Sequence, residues 1–191
     1  MKHEPRLLSV HARFRAACFL ALVALQTASA ALRVEQLRCE YLDNPLGIDT
    51  PQPRLSWILG SSERGAKQSA YQILVAGSAS AWKQNQGDLW DSGKVPSDET
   101  IQVRYAGQPL ATRQQAFWKV RVWDEAGQVR ESQPARWEMG LLSPADWQAR
   151  WIARTTDTNA HPAPLLRRAF QLDGKTKQAR AYICGLGYYE L

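Results

Sequence analysis

The sequence predicts an all-β chain: a fibronectin type III or immunoglobulin-like β-sandwich, followed by the start of a second, truncated β-sandwich. Three observations carry this reading. Short runs of alternating apolar and polar residues recur through residues 32–139, separated by turn residues. Eight tryptophans among 191 residues supply bulky aromatic bodies of the kind that fill sandwich cores. The sequence ends at Leu191 within an apolar stretch, too few residues past the first sandwich to close a second core.

Residues 1–30 read as an export signal. Arg6, Arg13 and Arg15 form a basic flank, residues 16–25 an apolar run, and Ala28-Ser29-Ala30 a small-residue cleavage pattern. The run is too short for a bilayer, which needs roughly 20 residues. The expectation is therefore an exported protein, periplasmic or extracellular, with no membrane attachment after cleavage. Lys2, Arg6, Arg13 and Arg15 against Glu4 account for half of the formal net charge of +6. The remainder holds no basic run, which argues against nucleic acid as a partner.

The strands of the first domain, residues 31–142, follow in order. Residues 32–41 alternate imperfectly and open the sandwich. Asn44-Pro45-Leu46-Gly47 is a turn, and Pro51 and Pro53 prevent a helix after it. Residues 54–59 place Leu55, Trp57 and Leu59 on one face, and residues 68–76 do the same with Tyr71, Ile73 and Val75. Residues 78–86 are polar and suit a short helical turn. Residues 89–95 carry Trp90, and residues 101–105 alternate Ile101, Val103 and Tyr105. The strongest pattern is residues 116–124, with Trp118, Val120 and Val122 facing one way and Lys119 and Arg121 the other. Phe117 and Trp123 share that second face, which implies partial cover there. Glu125-Ala126-Gly127-Gln128 closes a hairpin, and residues 135–139 form its return strand. The total is about seven strands, the number an immunoglobulin-like sandwich requires.

Residues 143–191 read as a connector and an incomplete second β domain. Ser143-Pro144 starts a helical turn, with Ser143 as cap and Pro144 at the first helical position. Residues 155–164 form a polar, proline-containing loop. Residues 165–172 and 179–184 read as two strands joined at Asp173-Gly174-Lys175. Tyr188, Tyr189 and Leu191 have no later strand to pack on, so the expectation is a truncated chain.

Candidate chemistry is sparse. Glycoside hydrolysis needs two carboxyl groups around the scissile bond. Asp91, Asp98, Glu99, Asp124 and Glu125 fall in turns or loops, and Asp49 sits among prolines as a loop-ordering residue. His161 is the single histidine after the leader, too few for a zinc site or a serine triad. Gly185-Leu186-Gly187 lacks the third glycine of a dinucleotide fingerprint, since position 190 is Glu190. No catalytic, metal-binding or cofactor-binding residue is assigned. Cys39 and Cys184 fall in separate predicted domains, which favours two free buried thiols over a disulfide.

Several segments in order resemble the N-terminal region of bacterial α-L-rhamnosidases of glycoside hydrolase family 78. They include Leu37-Arg38-Cys39-Glu40-Tyr41, Asn44-Pro45-Leu46-Gly47-Ile48-Asp49 and Pro53-Arg54-Leu55-Ser56-Trp57. Leu89-Trp90-Asp91-Ser92-Gly93-Lys94-Val95, Trp118-Lys119-Val120-Arg121-Val122-Trp123-Asp124 and Trp137-Glu138-Met139-Gly140-Leu141-Leu142 continue the series. Trp147-Gln148-Ala149-Arg150-Trp151-Ile152 and the stretch from Ala181 to Leu191 complete it. The resemblance implies an inverting glycosidase of terminal α-L-rhamnosides as the parent. It also implies that the acidic catalytic pair lies on a helical toroid not found in this chain. Rhamnose-containing glycosides would then be partners of the complete enzyme, and whether this chain counts as an enzyme stays open.

The alternative is a stand-alone exported module, either carbohydrate-binding or a fibronectin-type adhesion or structural domain. It turns on Trp123, Trp137, Trp147 and Trp151. These four either form a sugar-stacking platform near the domain junction or pack the sandwich and its joint.

Overall fold

The structure is a computed structural model that describes residues 32–153, 165–187 and 190. Residues 1–30, read from the sequence as an export signal, and His161, Tyr188, Tyr189 and Leu191 lie outside the described residues. The chain divides into two units, Met1–Gln148 and Ala149–Leu191.

The first unit is an antiparallel sandwich. One sheet contains β1 (Arg33–Cys39), β2 (Arg54–Gly60) and β5 (Val103–Arg104), in the order β1-β2-β5. The other contains β3 (Gln68–Ala76), β4 (Trp90–Asp91), β6 (Gln115–Asp124), β7 (Val129–Glu131) and β8 (Ala135–Glu138). Here β4 pairs β3, β3 pairs β6, and both β7 and β8 pair the far edge of β6.

β7 was not expected from the sequence. It pairs Arg121, Val122 and Trp123, while β8 pairs residues from Gln115 to Trp118, so the two are segments of one interrupted edge. The interruption falls at Ser132-Gln133-Pro134, where Pro134 has no N–H to continue a ladder. Ser132 repairs part of the gap. Its N–H donates to the Val120 carbonyl at 2.9 Å, and its Oγ accepts from the Val120 N–H at 3.0 Å. Taken as one edge, β7 and β8 bring the strand total to the expected seven. Gly127, at φ +76°, makes the turn between β6 and β7.

The core forms because alternation in both sheets aims apolar side chains inward. Leu55, Trp57, Ile73, Val75, Trp118, Val120, Val122, Trp137 and Met139 are fully buried. Each contributes on the order of 1.5–3 kcal/mol by leaving water. The aromatic rings meet edge to face, with centroids 5.6 Å apart for Tyr105 and Trp137 and 5.2 Å for Trp57 and Tyr71. One predicted inward residue is displaced. Ile101 is 65% exposed, because Gln102 adopts φ +57° and breaks the alternation that Val103 and Tyr105 then resume.

Two outer features complete this unit. Helix α1 (Ala79–Lys83) starts at Ser78, whose Oγ accepts from the Ala81 N–H at 3.1 Å. It packs on β3 and β6, where the outward-facing Leu74 and Lys119 are buried. Residues 44–48 run along the open edge of β8. Asn44 Oδ1 accepts from the Arg136 N–H at 2.8 Å, and Ile48 N–H donates to the Glu138 carbonyl at 3.0 Å. That edge is thereby closed to other strands.

The second unit differs from its sequence-based expectation. Residues 165–172 and 179–184 form no strand, and no helix or strand occurs among the unit's described residues. A strand needs a partner for its backbone groups and a cover for its apolar face. Among the described residues neither is present: Leu165 is 100% exposed and Phe170 75% exposed. Gly174 does take the left-handed conformation expected of its turn, at φ +88°. Cys184 is exposed, not buried as expected, whereas Cys39 is buried; both thiols are free.

Candidate functional site

Of the four tryptophans singled out in the sequence, Trp123, Trp137 and Trp147 belong to the first unit and Trp151 to the second. Trp137 is fully buried, packed edge to face between Tyr105 and Trp118, so it cannot stack on a ligand. This corrects its place in the proposed platform. The cause is register: Trp137 stands opposite Ala116 on β6, whose inward set is Ala116, Trp118, Val120 and Val122. Trp123 has the opposite parity on β6 and lies on the outer face. There the Lys94 ammonium sits 4.7 Å from its ring centroid. Trp147, in the first unit, is 41% exposed, and Trp151, in the second, is 69% exposed.

Two polar constellations went unremarked in the sequence. The first lies where β1 turns back. Glu40 and Tyr41 both adopt the left-handed region, at φ +48° and +64°, and the Cys39 and Leu42 backbones exchange two hydrogen bonds of 3.0 Å. This is the two-residue hairpin geometry that glycine or asparagine ordinarily occupies. The turn delivers the Glu40 carboxylate to Arg54, the first residue of β2. Oε1 accepts from the Arg54 backbone N–H at 2.6 Å, and Oε2 accepts from Nε at 3.0 Å and from a terminal guanidinium nitrogen at 2.5 Å. The Tyr41 ring lies 5.1 Å below the same guanidinium. Hydrogen bonding from Arg54 holds the Glu40 carboxyl below the usual carboxylate range, and holds Arg54 itself above its ordinary value. Glu40, Arg54, Thr50, Gln52 and Arg104 border a shallow groove of about 500 Å³.

The second constellation is on the outer face of β6. Lys119 is 3% exposed under α1, and its ammonium is hydrogen-bonded by Asn85 Oδ1 and Glu131 Oε1. The Trp82 ring lies 5.3 Å from that ammonium. Arg121 Nε donates to the other Glu131 oxygen at 2.7 Å. Burial works to raise the Glu131 carboxyl, but the Lys119 and Arg121 hydrogen bonds and charges outweigh it and hold it low.

Chemically these groups are settled. Glu40, Glu131 and Asp146 are all pushed below the ordinary carboxylate range. A glycosidase's general acid requires the opposite shift. The Cys39 thiol is pushed up to about 12 by burial and by the nearby Glu40 charge, which leaves it unreactive near neutrality. No group of three or more metal-capable side chains occurs among the described residues. The arrangement orders a sandwich and its loops. The sequence signal for the first pair was faint: Glu40 and Arg54 are 14 residues apart, joined only once Glu40 takes a conformation its residue type rarely adopts.

Fold and site thus define a small immunoglobulin-like module whose polar groups are used in its own framework. The chain belongs to the family described as the Rha78A-like N-terminal immunoglobulin domain, whose model matches residues 34–143. It is 47% identical over 137 residues to an α-L-rhamnosidase of Streptomyces avermitilis, covering 71% of this chain and 12% of that protein. It is 33% identical over 188 residues to an α-L-rhamnosidase of Formosa agariphila, covering 86% of this chain and 20% of that one. Among solved structures, the Streptomyces avermitilis α-L-rhamnosidase complexed with L-rhamnose matches at TM-score 0.61 and 48% identity, over 64% of this chain and 12% of that one. The α-L-rhamnosidase of Dictyoglumus thermophilum matches at TM-score 0.61 and 40% identity, over 64% and 14%. The chain therefore spans 12% to 20% of the length of these two curated relatives.

Proposed function

We propose that this chain is the non-catalytic N-terminal module of an exported α-L-rhamnosidase, bracing a catalytic region that removes terminal α-L-rhamnose from glycosides. The observation that carries this is the 47% identity to an α-L-rhamnosidase of which the chain matches only 12%. The internal chemistry supports it. The perturbed carboxyls of Glu40, Glu131 and Asp146 are held ionised by donors, and the space between the sheets is filled by Trp57, Trp118, Trp137 and Tyr105. Export is supported by the basic flank, apolar run and small-residue site of residues 1–30.

The test is turnover of an aryl α-L-rhamnoside by this chain alone, alongside a complete relative as the positive control. No turnover is expected from this chain, and measurable hydrolysis would overturn the assignment. N-terminal sequencing of the protein recovered outside the cytoplasm should begin at Ala31. Retention of residues 1–30 in the recovered protein would remove the export part of the proposal.

A further inference from the structure

Residues after Gly140 look in sequence like the beginning of a linker, yet they are tied to the sandwich by a closed set of hydrogen bonds. We infer that Thr112 and Asp146 form a clasp that makes residues 141–147 a fixed arm of the immunoglobulin-like unit.

The clasp joins positions 34 residues apart. Thr112 Oγ1 donates to Asp146 Oδ2 at 2.5 Å. The same carboxylate oxygen accepts from the backbone N–H groups of Leu142, at 3.1 Å, and Ser143, at 2.9 Å. Thr112 Oγ1 in turn accepts from the Leu142 N–H at 3.2 Å, so the hydroxyl both gives and receives. A 3₁₀ turn over Pro144–Asp146 keeps the carboxylate in place. Ser143 caps it, with its Oγ accepting from the Ala145 N–H at 3.3 Å, and Pro144 fixes φ at the first turn position. On the sandwich side, Arg113 sits at φ +63° and donates its backbone N–H to the Gly140 carbonyl at 3.1 Å. Its guanidinium reaches the Asp146 carbonyl at 3.3 Å. Met139 N–H donates to the Gln114 carbonyl at 2.9 Å, which continues the β6–β8 ladder to the foot of the arm.

The Thr112–Asp146 bond is part-buried, and the other side-chain bonds are exposed and individually weak. Together they satisfy the backbone donors of Leu142 and Ser143, which a free linker would leave to water. The bonds from the Leu142 and Ser143 amides end on Asp146 Oδ2 or Thr112 Oγ1, and those two atoms bond each other. The consequence is geometric: the direction in which the chain leaves the sandwich is set within the first unit. Loss of Asp146 Oδ2 removes the bonds to both amides, and loss of Thr112 Oγ1 removes the side-chain tie from the carboxylate to Thr112, in neither case with any change in the core.

Amide hydrogen exchange on the full chain tests this, using wild type, Thr112→Val, Thr112→Ser and Asp146→Ala. The Leu142 and Ser143 amides should exchange at least about tenfold more slowly than in a free peptide. Asp146→Ala should remove that protection at both amides. Thr112→Val, close to isosteric, leaves both amides their bond to Asp146 but cuts the carboxylate from Thr112; it should reduce the protection, most at Leu142, while β3 and β6 amides stay protected. Thr112→Ser keeps the oxygen and should retain it. Chymotryptic cleavage after Trp147 should accelerate about tenfold in the two broken variants. Thr112→Val decides the matter if Asp146→Ala fails to fold. Free-peptide exchange at residues 142–147 in the wild type, or unchanged exchange in Thr112→Val, would overturn the inference.

Discussion

The indole Nε1 of Trp57 donates to the side-chain oxygen of Gln68 at 3.0 Å, in the interior between the two sheets. Gln68 is 2% exposed and spends its amide nitrogen on the carbonyls of Ser97, at 3.0 Å, and Glu99, at 2.9 Å. One side chain therefore ties β2 and β3 to the loop that leads toward β5. Trp118 and Trp137, by contrast, have buried indole nitrogens with no hydrogen-bond partner among the described residues, and they contribute through packing.

Replacing Gln68 with Leu should be costly because it orphans three groups at once. With about 1–3 kcal/mol for each buried group left unpaired, a loss of about 2–4 kcal/mol is expected after partial relaxation. In a Trp57→Phe background one of those orphans no longer exists, and Gln68→Leu should cost about 1 kcal/mol less. Urea unfolding of the four proteins of this cycle measures the coupling. Equal costs in both backgrounds would show that the bond contributes nothing.

The contrast among the tryptophans gives a second expectation. Trp137→Ala removes a ring packed on Trp118 and Tyr105 and should cost about 3–5 kcal/mol. Trp147→Ala, at a partly exposed position, should stay within about 0.5 kcal/mol of wild type. Thermal melting of the two variants separates the cases. A larger loss at Trp147 than at Trp137 would contradict the placement described here.

Much of this sandwich was legible because its core obeys a simple period. Leu55 and Trp57, Tyr71, Ile73 and Val75, and Trp118, Val120 and Val122 are read off by alternation, and all are buried. The same rule could not show what lies over the outer face. Phe117 and Trp123 implied partial cover on the Lys119 face but not its source: Lys119 is buried because α1 and Asn85 fold over it. β7 was hidden for a similar reason: Val129–Glu131 is too short and polar to signal a strand by itself, and it pairs only because β6 offers an open edge. Ile101 failed through a single residue, since the left-handed Gln102 shifts the phase. Trp137 was visible as a large aromatic, but its face depends on the pairing with Ala116, which residue type alone does not reveal.

The Glu40–Arg54 pair should govern part of the acid limb of stability. The folded-state pKa of Glu40 is lowered by the Arg54 hydrogen bonds. The stabilisation is therefore fully present above the unfolded carboxyl value of about 4.5, and it is lost as pH falls through the lower folded value. Glu40→Gln should reduce stability at pH 7, and its difference from wild type should shrink below that value. The urea midpoint measured from pH 7 to pH 3 checks this. A pH-independent difference would mean that charge is not the origin of the effect.

The two cysteines should differ sharply in reactivity. With a pKa of about 12, the Cys39 thiol is ionised in only about one molecule in 10⁴ at pH 8, and burial shields it further. Cys184 is exposed. In a chain carrying Cys18→Ser, Ellman's reagent should label one thiol quickly and the second only on unfolding. The raised pKa also carries a linkage sign. Stability is intact below the unfolded value of about 9 and declines as pH rises toward 12, because the unfolded thiol ionises first. Cys39→Ala should remove that part of the alkaline decline, leaving the part due to Tyr105, whose hydroxyl burial also pushes up to about 12, and to Tyr71, which burial raises as well. Prompt labelling of both thiols in the folded protein would mean that Cys39 is not held between the sheets.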